Sequence, residues 1–293
     1  MLRSRTFRGV LAVVAATVLI SGCASGPAGP LATVDGVEVP REQLEGWVRT
    51  ATQANPDVDA VGLQTDLLAR VLQQRILEGV LAERGLTVDP ELLVEIRGSI
   101  EDQVGGPLSL VATLADIGFP EDFFDAVFVP VEAAIETLVL ALAEGRSLET
   151  RTARHILVDT AEEADEVFAL LQDGADFAEL ATERSQDPGS GSRGGDLGAQ
   201  QRGVFVPPFD EAVWSARVGV VLAPVESEFG FHVIEVTSID TTTAADLTPD
   251  ERRRIAGADL EEVILTAFGG AAVTIDPTVG TWDPASGTVL PPA

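Results

Sequence analysis

Residues 152–158 read Thr152-Ala153-Arg154-His155-Ile156-Leu157-Val158, and residues 160–163 read Thr160-Ala161-Glu162-Glu163. The first run is short and ends in apolar and β-branched residues, which predicts a strand. The second run has the pattern of a capping box, in which Thr and Glu each satisfy the other residue's backbone N–H at the start of a helix. Apolar residues then recur at helical spacing through Leu171. A strand followed directly by an amphipathic helix is therefore predicted here.

Further elements extend this unit towards the C-terminus. They are a helix from Asp176, a Gly- and Ser-rich loop at 187–195, a short helix after Pro208 through Trp214, and apolar strands at 221–225 and 231–239. The order of one strand, three helices and two or three strands predicts an α+β unit. We assign it to residues 151–240, with a small antiparallel or mixed β-sheet and three to four flanking helices.

Residues 33–150 are predicted to form a mainly helical domain. Alternation around an Asp-Gly turn at 33–39 predicts a short hairpin. Helices follow, one opened by Pro40 and others at residues 63–84, 90–104 and 120–142.

The C-terminal segment, residues 241–293, is predicted to contain a helix and a tail. A second capping box, Thr248-Pro249-Asp250-Glu251, starts the helix, and Gly269-Gly270 ends it after Phe268. The apolar side of this helix needs a partner, and the α+β unit before it already has a complete set of elements. We therefore predict that this segment packs back on the N-terminal helices.

Residues 1–22 are predicted to be a targeting segment. Three Arg residues precede an apolar run at 10–20, which is too short to span a membrane but fits a secretory signal peptide. The following Ser21-Gly22-Cys23 completes a string similar to the bacterial lipobox. The alternative is an ordinary signal peptide with an incidental Cys. The resemblance implies acylation of Cys23 by fatty acids such as palmitate, a flexible tether at 23–32, and a lipid-anchored location on the extracytoplasmic face of the cell membrane.

Scarce residue types restrict the chemistry of the chain. Its 293 residues include 47 Asp and Glu against 19 Arg and no Lys, and a formal charge of −28 argues against nucleic acid as a partner. A single Cys excludes an internal disulfide. Two His and one Cys do not make a dedicated zinc site. We therefore expect no metal, no organic cofactor and no nucleic-acid partner.

Five short strings resemble the parvulin family of peptidyl-prolyl isomerases. In chain order they are Ala153-Arg154-His155-Ile156-Leu157-Val158, Ser185-Gln186-Asp187-Pro188-Gly189-Ser190, Gly194-Gly195-Asp196-Leu197-Gly198, Phe205-Val206-Pro207-Pro208-Phe209-Asp210 and Phe229-Gly230-Phe231-His232-Val233-Ile234. Ordered matches of this kind are more specific than any single motif. The resemblance implies a parvulin fold and isomerase activity on unfolded or nascent secreted polypeptides that contain proline.

Isomerisation of an X–Pro bond breaks no covalent bond, but the planar amide must lose its conjugation. A catalyst therefore needs an apolar pocket for the proline ring and polar groups that favour the twisted amide. The resemblance assigns Leu197, Phe205 and Phe209 to the pocket. Without the family, each of them would be interpreted as an ordinary core residue.

The polar candidates are His155, Asp187, His232 and Ser227. The resemblance makes the two histidines the family's central pair, whose mutual hydrogen bond fixes the ring tautomers, and the alternative for either is a hydrogen-bonded structural residue. Asp187 would act electrostatically on the substrate carbonyl and the His pair, or else form an Asx turn before Pro188. Ser227 is a candidate substrate contact at the rim, or part of a solvated turn.

Two further comparisons bear on function. Phosphate-directed parvulins carry basic residues after the first strand, whereas residues 158–163 are acidic here, which predicts non-phosphorylated substrates. The N-terminal domain resembles the helical chaperone domain of SurA-like and PrsA-like foldases. The leading hypothesis is a lipid-anchored isomerase and chaperone. The alternatives are a non-enzymatic holdase that uses the parvulin fold as a peptide-binding module, and an envelope-assembly lipoprotein.

Overall fold

A computed structural model describes residues 29–292 of the protein. The predicted signal peptide, Cys23 and most of the predicted tether lie outside the described residues. Within them, a mainly helical domain is built from both ends of the chain, and an α+β domain lies between the two contributions. The predicted α+β fold class is confirmed.

The N-terminal contribution to the helical domain begins with a hairpin and continues as helices. Its elements are β1 (Ala32–Val34), β2 (Val37–Val39), α1 (Arg41–Ala54), α2 (Ala60–Glu83), α3 (Pro90–Val104), α4 (Pro107–Asp116), α5 (Glu121–Phe123), a π-helical segment (Phe124–Phe128) and α6 (Val129–Ala143). The longest is α2, in which Leu67, Leu68 and Leu72 are fully buried. Gly85, with φ +69°, supplies the left-handed turn after α2.

The C-terminal segment returns to this domain. Its elements are α10 (Pro249–Gly270), β7 (Val273–Ile275), β8 (Thr281–Asp283) and β9 (Thr288–Leu290). Strand β7 pairs antiparallel with β1, which gives a three-stranded sheet in the order β2-β1-β7. Ala256, Leu260 and Phe268 of α10 belong to the same apolar core as α2 and α6. The two ends of the described chain therefore share one core.

The α+β domain lies between these two contributions. Its elements are β3 (Ser147–Val158), α7 (Ala161–Gln172), α8 (Phe177–Arg184), β4 (Asp196–Gln200), α9 (Pro207–Ser215), β5 (Val225–Ser227) and β6 (Gly230–Thr243). The sheet is antiparallel in the order β4-β3-β6-β5. Helices α7 and α8 pack on one face with Ile156 and Val233, and α9 packs on the other face with Ala153 and Ile234. Since strand residues alternate between faces, His155 and His232 lie on the α9 face.

Two strands differ from the prediction. The prediction of a strand at residues 221–225 is wrong, because β5 begins only at Val225 and Val221 forms an isolated bridge with Glu235. Pro224 has no backbone N–H to donate to a ladder. By contrast, β3 begins earlier than predicted, because it pairs with β6 along its whole length, from Ser147 to Val158.

Two helices also differ from the prediction. Helix α4 follows Gly105 and Gly106, both with positive φ, and was not predicted. Helix α10 continues through the Gly pair that was predicted to end it. Its last turn is held by the tail, because Trp282 packs against Phe268 at a ring separation of 5.6 Å and donates its indole N–H to the Phe268 carbonyl.

Among the described residues, one helical stretch, Glu121–Ala143, is long and apolar enough to cross a membrane. Half of its most apolar 18-residue segment is buried, and Val131, Leu138 and Val139 lie in the core of the helical domain. These contacts are those of a core helix.

Candidate functional site

His155 and His232 lie on adjacent strands and on the same face of the sheet. In the register of β3 and β6, His155 is opposite Ile234 and His232 is opposite Leu157, so the two rings are diagonal neighbours. Their Nδ1 atoms are 3.1 Å apart and the rings stack at a centroid separation of 5.3 Å. The side chains are buried, with exposures of 6% and 4%. The two histidines of the chain therefore form one hydrogen-bonded pair.

Asp187 is brought to this pair by the loop that follows α8. The loop is fastened to β3, because the Gln186 backbone N–H donates to the Leu157 carbonyl at 2.8 Å and the Ser185 hydroxyl accepts from the Leu157 N–H at 3.2 Å. Asp187 Oδ1 accepts from the Gly189 N–H at 2.8 Å, and Asp187 Oδ2 lies 2.9 Å from His155 Nε2. The Asx turn and the contact with histidine, which the sequence left as alternatives, are both made by one carboxylate.

A close backbone contact explains the glycine at position 195, near the end of this loop. Gly195 has φ +80°, and a Cβ at this position would overlap the His155 carbonyl. The Gly195 carbonyl accepts the His155 N–H at 3.0 Å, and the Gly195 N–H donates to the Ser190 carbonyl at 3.0 Å. A side chain at Gly195 would push the loop away from the strand that carries His155.

The hydrogen bonds from Asp187 to Ser227 form a chain with a defined direction. A carboxylate only accepts, so His155 donates from Nε2 to Asp187, and the Nδ1 contact is satisfied when His232 Nδ1 donates to His155 Nδ1. His232 Nε2 is then an acceptor for the Ser227 hydroxyl, 2.7 Å away. Ser227 Oγ in turn accepts from the Phe229 N–H at 3.1 Å. In this arrangement each contact from Asp187 to Ser227 has one donor and one acceptor.

The charge states fit this direction. Burial alone would raise the pKa of the Asp187 carboxyl, but hydrogen bonds from Ser190, His155 and the Gly189 N–H outweigh it and hold the pKa at about 2. Burial, together with the neighbouring His155, lowers the pKa of His232 to about 4. At neutral pH the chain therefore joins an anionic Asp187 to an uncharged His232.

Two serines have hydrogen bonds in the site that the sequence did not predict. Ser227 was predicted as a rim contact for substrate or as part of a solvated turn; its hydroxyl is bonded to His232 and so belongs to the chain, and its contact with substrate stays a prediction. Ser190 ends the matched string at residues 185–190, but the resemblance assigned it no role. It is 1% exposed, and its hydroxyl donates to Asp187 Oδ2 at 2.5 Å and lies 3.1 Å from His155 Nε2. Ser190 therefore positions the carboxylate.

An apolar cluster adjoins the histidines. Phe209, near the start of α9, is 3% exposed and presents edge-to-face contacts to His155 at 5.4 Å and to His232 at 5.1 Å. Phe205 packs against Phe209 at 4.8 Å, and Leu197 is part of the same cluster. Phe205 and Leu197 are only half-buried. The three residues predicted for the proline pocket therefore share one apolar cluster beside the His pair.

Asp210 fixes the loop that carries Phe205, and the sequence did not identify this role. It is 8% exposed, and its Oδ1 accepts from the Gly203 N–H at 2.8 Å. Since Asp210 is on α9 beside Phe209, the bond ties the two pocket aromatics to one helix.

The helical domain has a separate groove between the α3–α4 pair and helices α2 and α6. Its volume is about 1100 Å³. Its apolar lining includes Ile96, Ile100, Leu110, Leu114, Phe124 and Phe128. Within residues 29–292, no group of three His, Cys, Asp or Glu side chains is arranged to hold a metal ion.

Comparison with known proteins identifies the α+β domain. Residues 130–239 match the PPIC-type PPIase domain family. This chain carries a parvulin domain. It is similar to the foldase protein PrsA of Geobacillus kaustophilus, with 33% identity over 62% of this chain and 66% of that protein. It is also similar to PrsA of Geobacillus sp. WCH70, with 28% identity over 78% of this chain and 79% of that protein. The resemblance to parvulins and to PrsA-like foldases is confirmed.

Solved structures with related sequences include PrsA from Bacillus cereus. The superposition covers 86% of this chain and 95% of the Bacillus cereus chain, with 20% sequence identity and a TM-score of 0.44.

Proposed function

We propose that the protein is an extracytoplasmic peptidyl-prolyl cis-trans isomerase and chaperone that assists the folding of secreted polypeptides. The observation that carries this proposal is the contact of Phe209 with both histidine rings, because it joins an apolar cluster to a hydrogen-bonded chain that begins at an anionic carboxylate. A proline ring against Phe209 and Phe205 would bring the preceding amide close to Asp187.

The geometry supports catalysis by an electrostatic route. The rotational barrier of about 18–20 kcal/mol comes from conjugation of the amide nitrogen with the carbonyl, which also places partial negative charge on the oxygen. That charge falls as the amide twists. A fixed carboxylate therefore destabilises the planar amide more than the twisted one and lowers the barrier. His155, His232 and Ser190 hold Asp187 in place, and no covalent step is needed.

The acidic residues after β3 support non-phosphorylated substrates. Asp159 lies beside the loop that carries Asp187, because it accepts from the Gln186 side chain, and Glu162 and Glu163 are exposed in the first turn of α7. A phosphoserine before the proline would bring a second anion to this place. We expect a lower kcat/KM for a phosphoserine-proline peptide than for the same peptide with serine.

The chaperone part of the proposal rests on the helical domain. The groove gives an apolar surface to an unfolded chain, and the α3–α4 pair that forms one wall exposes a further apolar side chain, Leu108. The same observation favours the second candidate function, a holdase that uses the parvulin domain only to bind peptide.

The deciding experiment measures isomerase activity on an Ala-Leu-Pro-Phe peptide and aggregation suppression on the same samples. Asp187→Asn removes the charge and keeps the side-chain size, and Asp173→Asn, at the far end of α7, is the matched control. We expect Asp187→Asn to lower kcat/KM by about tenfold or more, which corresponds to about 1.4 kcal/mol of barrier, and the control to behave as wild type. If folded wild type suppresses aggregation but has no isomerase activity, the isomerase proposal is refuted and the holdase function is supported.

The membrane location is part of the proposal. Acylation at Cys23 would hold the folded domains at the extracytoplasmic face through the tether. Labelling of cells with radioactive palmitate tests it. Wild type should carry label and sediment with membranes, Cys23→Ser should do neither, and equal labelling of both would refute the anchor.

A further inference from the structure

One wall of the groove in the helical domain is a helix whose apolar side the core does not cover. No residue of α3 is buried. Its lining residues run from Leu92 to Val104 and recur mostly every three or four positions, so they form one face of the helix. At 1.5 Å per residue this face is about 18 Å long. An extended peptide of about five or six residues has the same length.

A π-helical turn adds two aromatic rings to the lining. The segment Phe124–Phe128 has the widened helix that is frequent at functional sites. The rings of Phe124 and Phe128 stack at a centroid separation of 5.2 Å, and Phe128 is only half-buried. The groove therefore offers partly open aromatic and aliphatic surface to apolar side chains of a bound segment.

The arginines of the lining are engaged by glutamates of the same lining. The Arg70 guanidinium lies 4.0 Å from the Glu132 carboxylate. The guanidinium groups of Arg252 and Arg253 lie 3.8 Å and 3.6 Å from the carboxylate of Glu136, which is 9% exposed. The positive charge in the groove is therefore already opposed by these two glutamates.

Three further carboxylates of the lining have no such partner. Asp66 of α2, Glu95 of α3 and Asp250 of α10 are exposed, and none of them forms an ion pair within residues 29–292. Arg97, the single Arg of α3, is engaged by three other carboxylates. The lining thus has five carboxylates against three arginines. Apolar walls of low dielectric constant concentrate the field of such charges in the groove.

We infer that the groove binds segments of unfolded chains in which about five apolar residues are flanked by Lys or Arg, and that Asp66, Glu95 and Asp250 set this preference. The inference rests on the proposed chaperone function, and it names the class of segment that the groove takes. An exposed charge pair typically changes an equilibrium by about two- to fivefold. Exchanging an attractive pair for a repulsive one doubles the difference in free energy. Cationic flanks should therefore improve Kd over anionic flanks by about tenfold or more at low salt.

The test uses fluorescein-labelled peptides of the form X-X-Leu-Val-Phe-Ala-Leu-X-X, in which X is Arg, citrulline or Glu. Citrulline keeps the length and hydrogen-bonding groups of Arg without its charge. The peptides contain no proline, so they are not substrates of the isomerase site. Fluorescence anisotropy measures Kd at about 0.02 M and about 0.5 M salt, where the screening length falls from about 20 Å to about 4 Å.

Matched variants separate the groove charges from the charge of the whole chain. The groove variant combines Asp66→Asn, Glu95→Gln and Asp250→Asn. The control variant combines Asp165→Asn, Asp173→Asn and Glu261→Gln, which are exposed positions outside the lining. Both lose three negative charges, so a preference that comes only from the net charge of −28 changes equally in both. Ile96→Asn, in the apolar wall, tests whether the peptide occupies the groove.

In wild type at low salt we expect the Glu-to-Arg ratio of Kd to be about ten or more, with citrulline between the two. The ratio should fall to about three or less in the groove variant and at high salt, and it should stay near the wild-type value in the control variant. Ile96→Asn should weaken binding of the citrulline peptide, which has no charged flanks.

Equal Kd values for the Arg and Glu peptides, or equal ratios in the groove and control variants, would overturn the inference. Loss of citrulline-peptide binding in Ile96→Asn would then still uphold the groove as the chaperone surface. Unchanged citrulline-peptide binding in Ile96→Asn would overturn the assignment to the groove. If folded wild type binds none of the peptides and does not suppress aggregation, the chaperone function is refuted and the inference with it.

Discussion

The histidine pair gives the sharpest prediction, because the chain has only two histidines and both lie in the site. His232 is 4% exposed, and burial with the neighbouring His155 lowers its pKa from 6.5 to about 4. At 1.36 kcal/mol per pKa unit this shift corresponds to about 3 kcal/mol. Since the folded-state pKa is below that of an unfolded histidine, the unfolded chain binds the proton more tightly. The contribution to stability is therefore complete above pH 6.5 and is lost as the pH falls towards 4.

Nitrogen-15 NMR of the histidine rings measures both the titration and the tautomers. We expect the His232 signal to titrate with a midpoint near pH 4, and at neutral pH we expect its proton on Nδ1 and that of His155 on Nε2. The His155→Gln variant assigns the signals, because it removes one of the two. Isomerase kcat/KM should fall with the same midpoint, since a protonated His232 cannot accept from Ser227. A His232 midpoint near 6.5, or a proton on its Nε2 at neutral pH, would refute the directed chain.

Two further predictions use matched pairs of positions. Gly195→Ala should strongly lower the melting temperature of the parvulin domain, because the added Cβ would overlap the His155 carbonyl. The control is Gly198→Ala, where φ is also positive but no atom lies within 4 Å of the added Cβ, and it should cost only about 1 kcal/mol of stability. Equal losses of stability in thermal unfolding would contradict the close-contact explanation. Ile96→Asn in the groove should reduce aggregation suppression and leave isomerase activity intact, whereas Val94→Asn, at a position 73% exposed on the same helix, should change suppression less. Suppression that is equally affected by both would argue against the groove as the chaperone surface.

The sequence predicted those features that depend on neighbouring residues. The capping boxes at Thr160 and Thr248 are both formed, because the interacting groups are three residues apart and need no tertiary context. The strand predicted at 221–225 failed for the opposite reason. Whether an apolar run joins a ladder depends on its partner, and Pro224 breaks the run one residue before β5 begins.

The site was predicted through ordered motifs and not through periodicity. His155, Asp187 and His232 belong to strings that matched a family, so their residue types could be assigned before the register of β3 and β6 was known. Ser190 and Asp210 are the last residues of two of the same strings, but the resemblance assigned no role to either of them. Their roles follow from burial and from single hydrogen bonds to Asp187 and to Gly203, which no local pattern encodes.

The central claim is that the pocket and the Asp187 chain together catalyse rotation about a prolyl bond. Exchange NMR on an Ala-Leu-Pro-Phe peptide tests it most directly, because it measures the cis-to-trans rate at equilibrium without a coupling protease. Uncatalysed exchange takes tens to hundreds of seconds, and a substoichiometric amount of wild-type protein should make it much faster. The variants Phe205→Ala and Asp187→Asn should each catalyse exchange more slowly than wild type, while circular dichroism shows that they keep the fold. Exchange at the uncatalysed rate with folded wild type, or at the wild-type rate with both variants, would contradict the account.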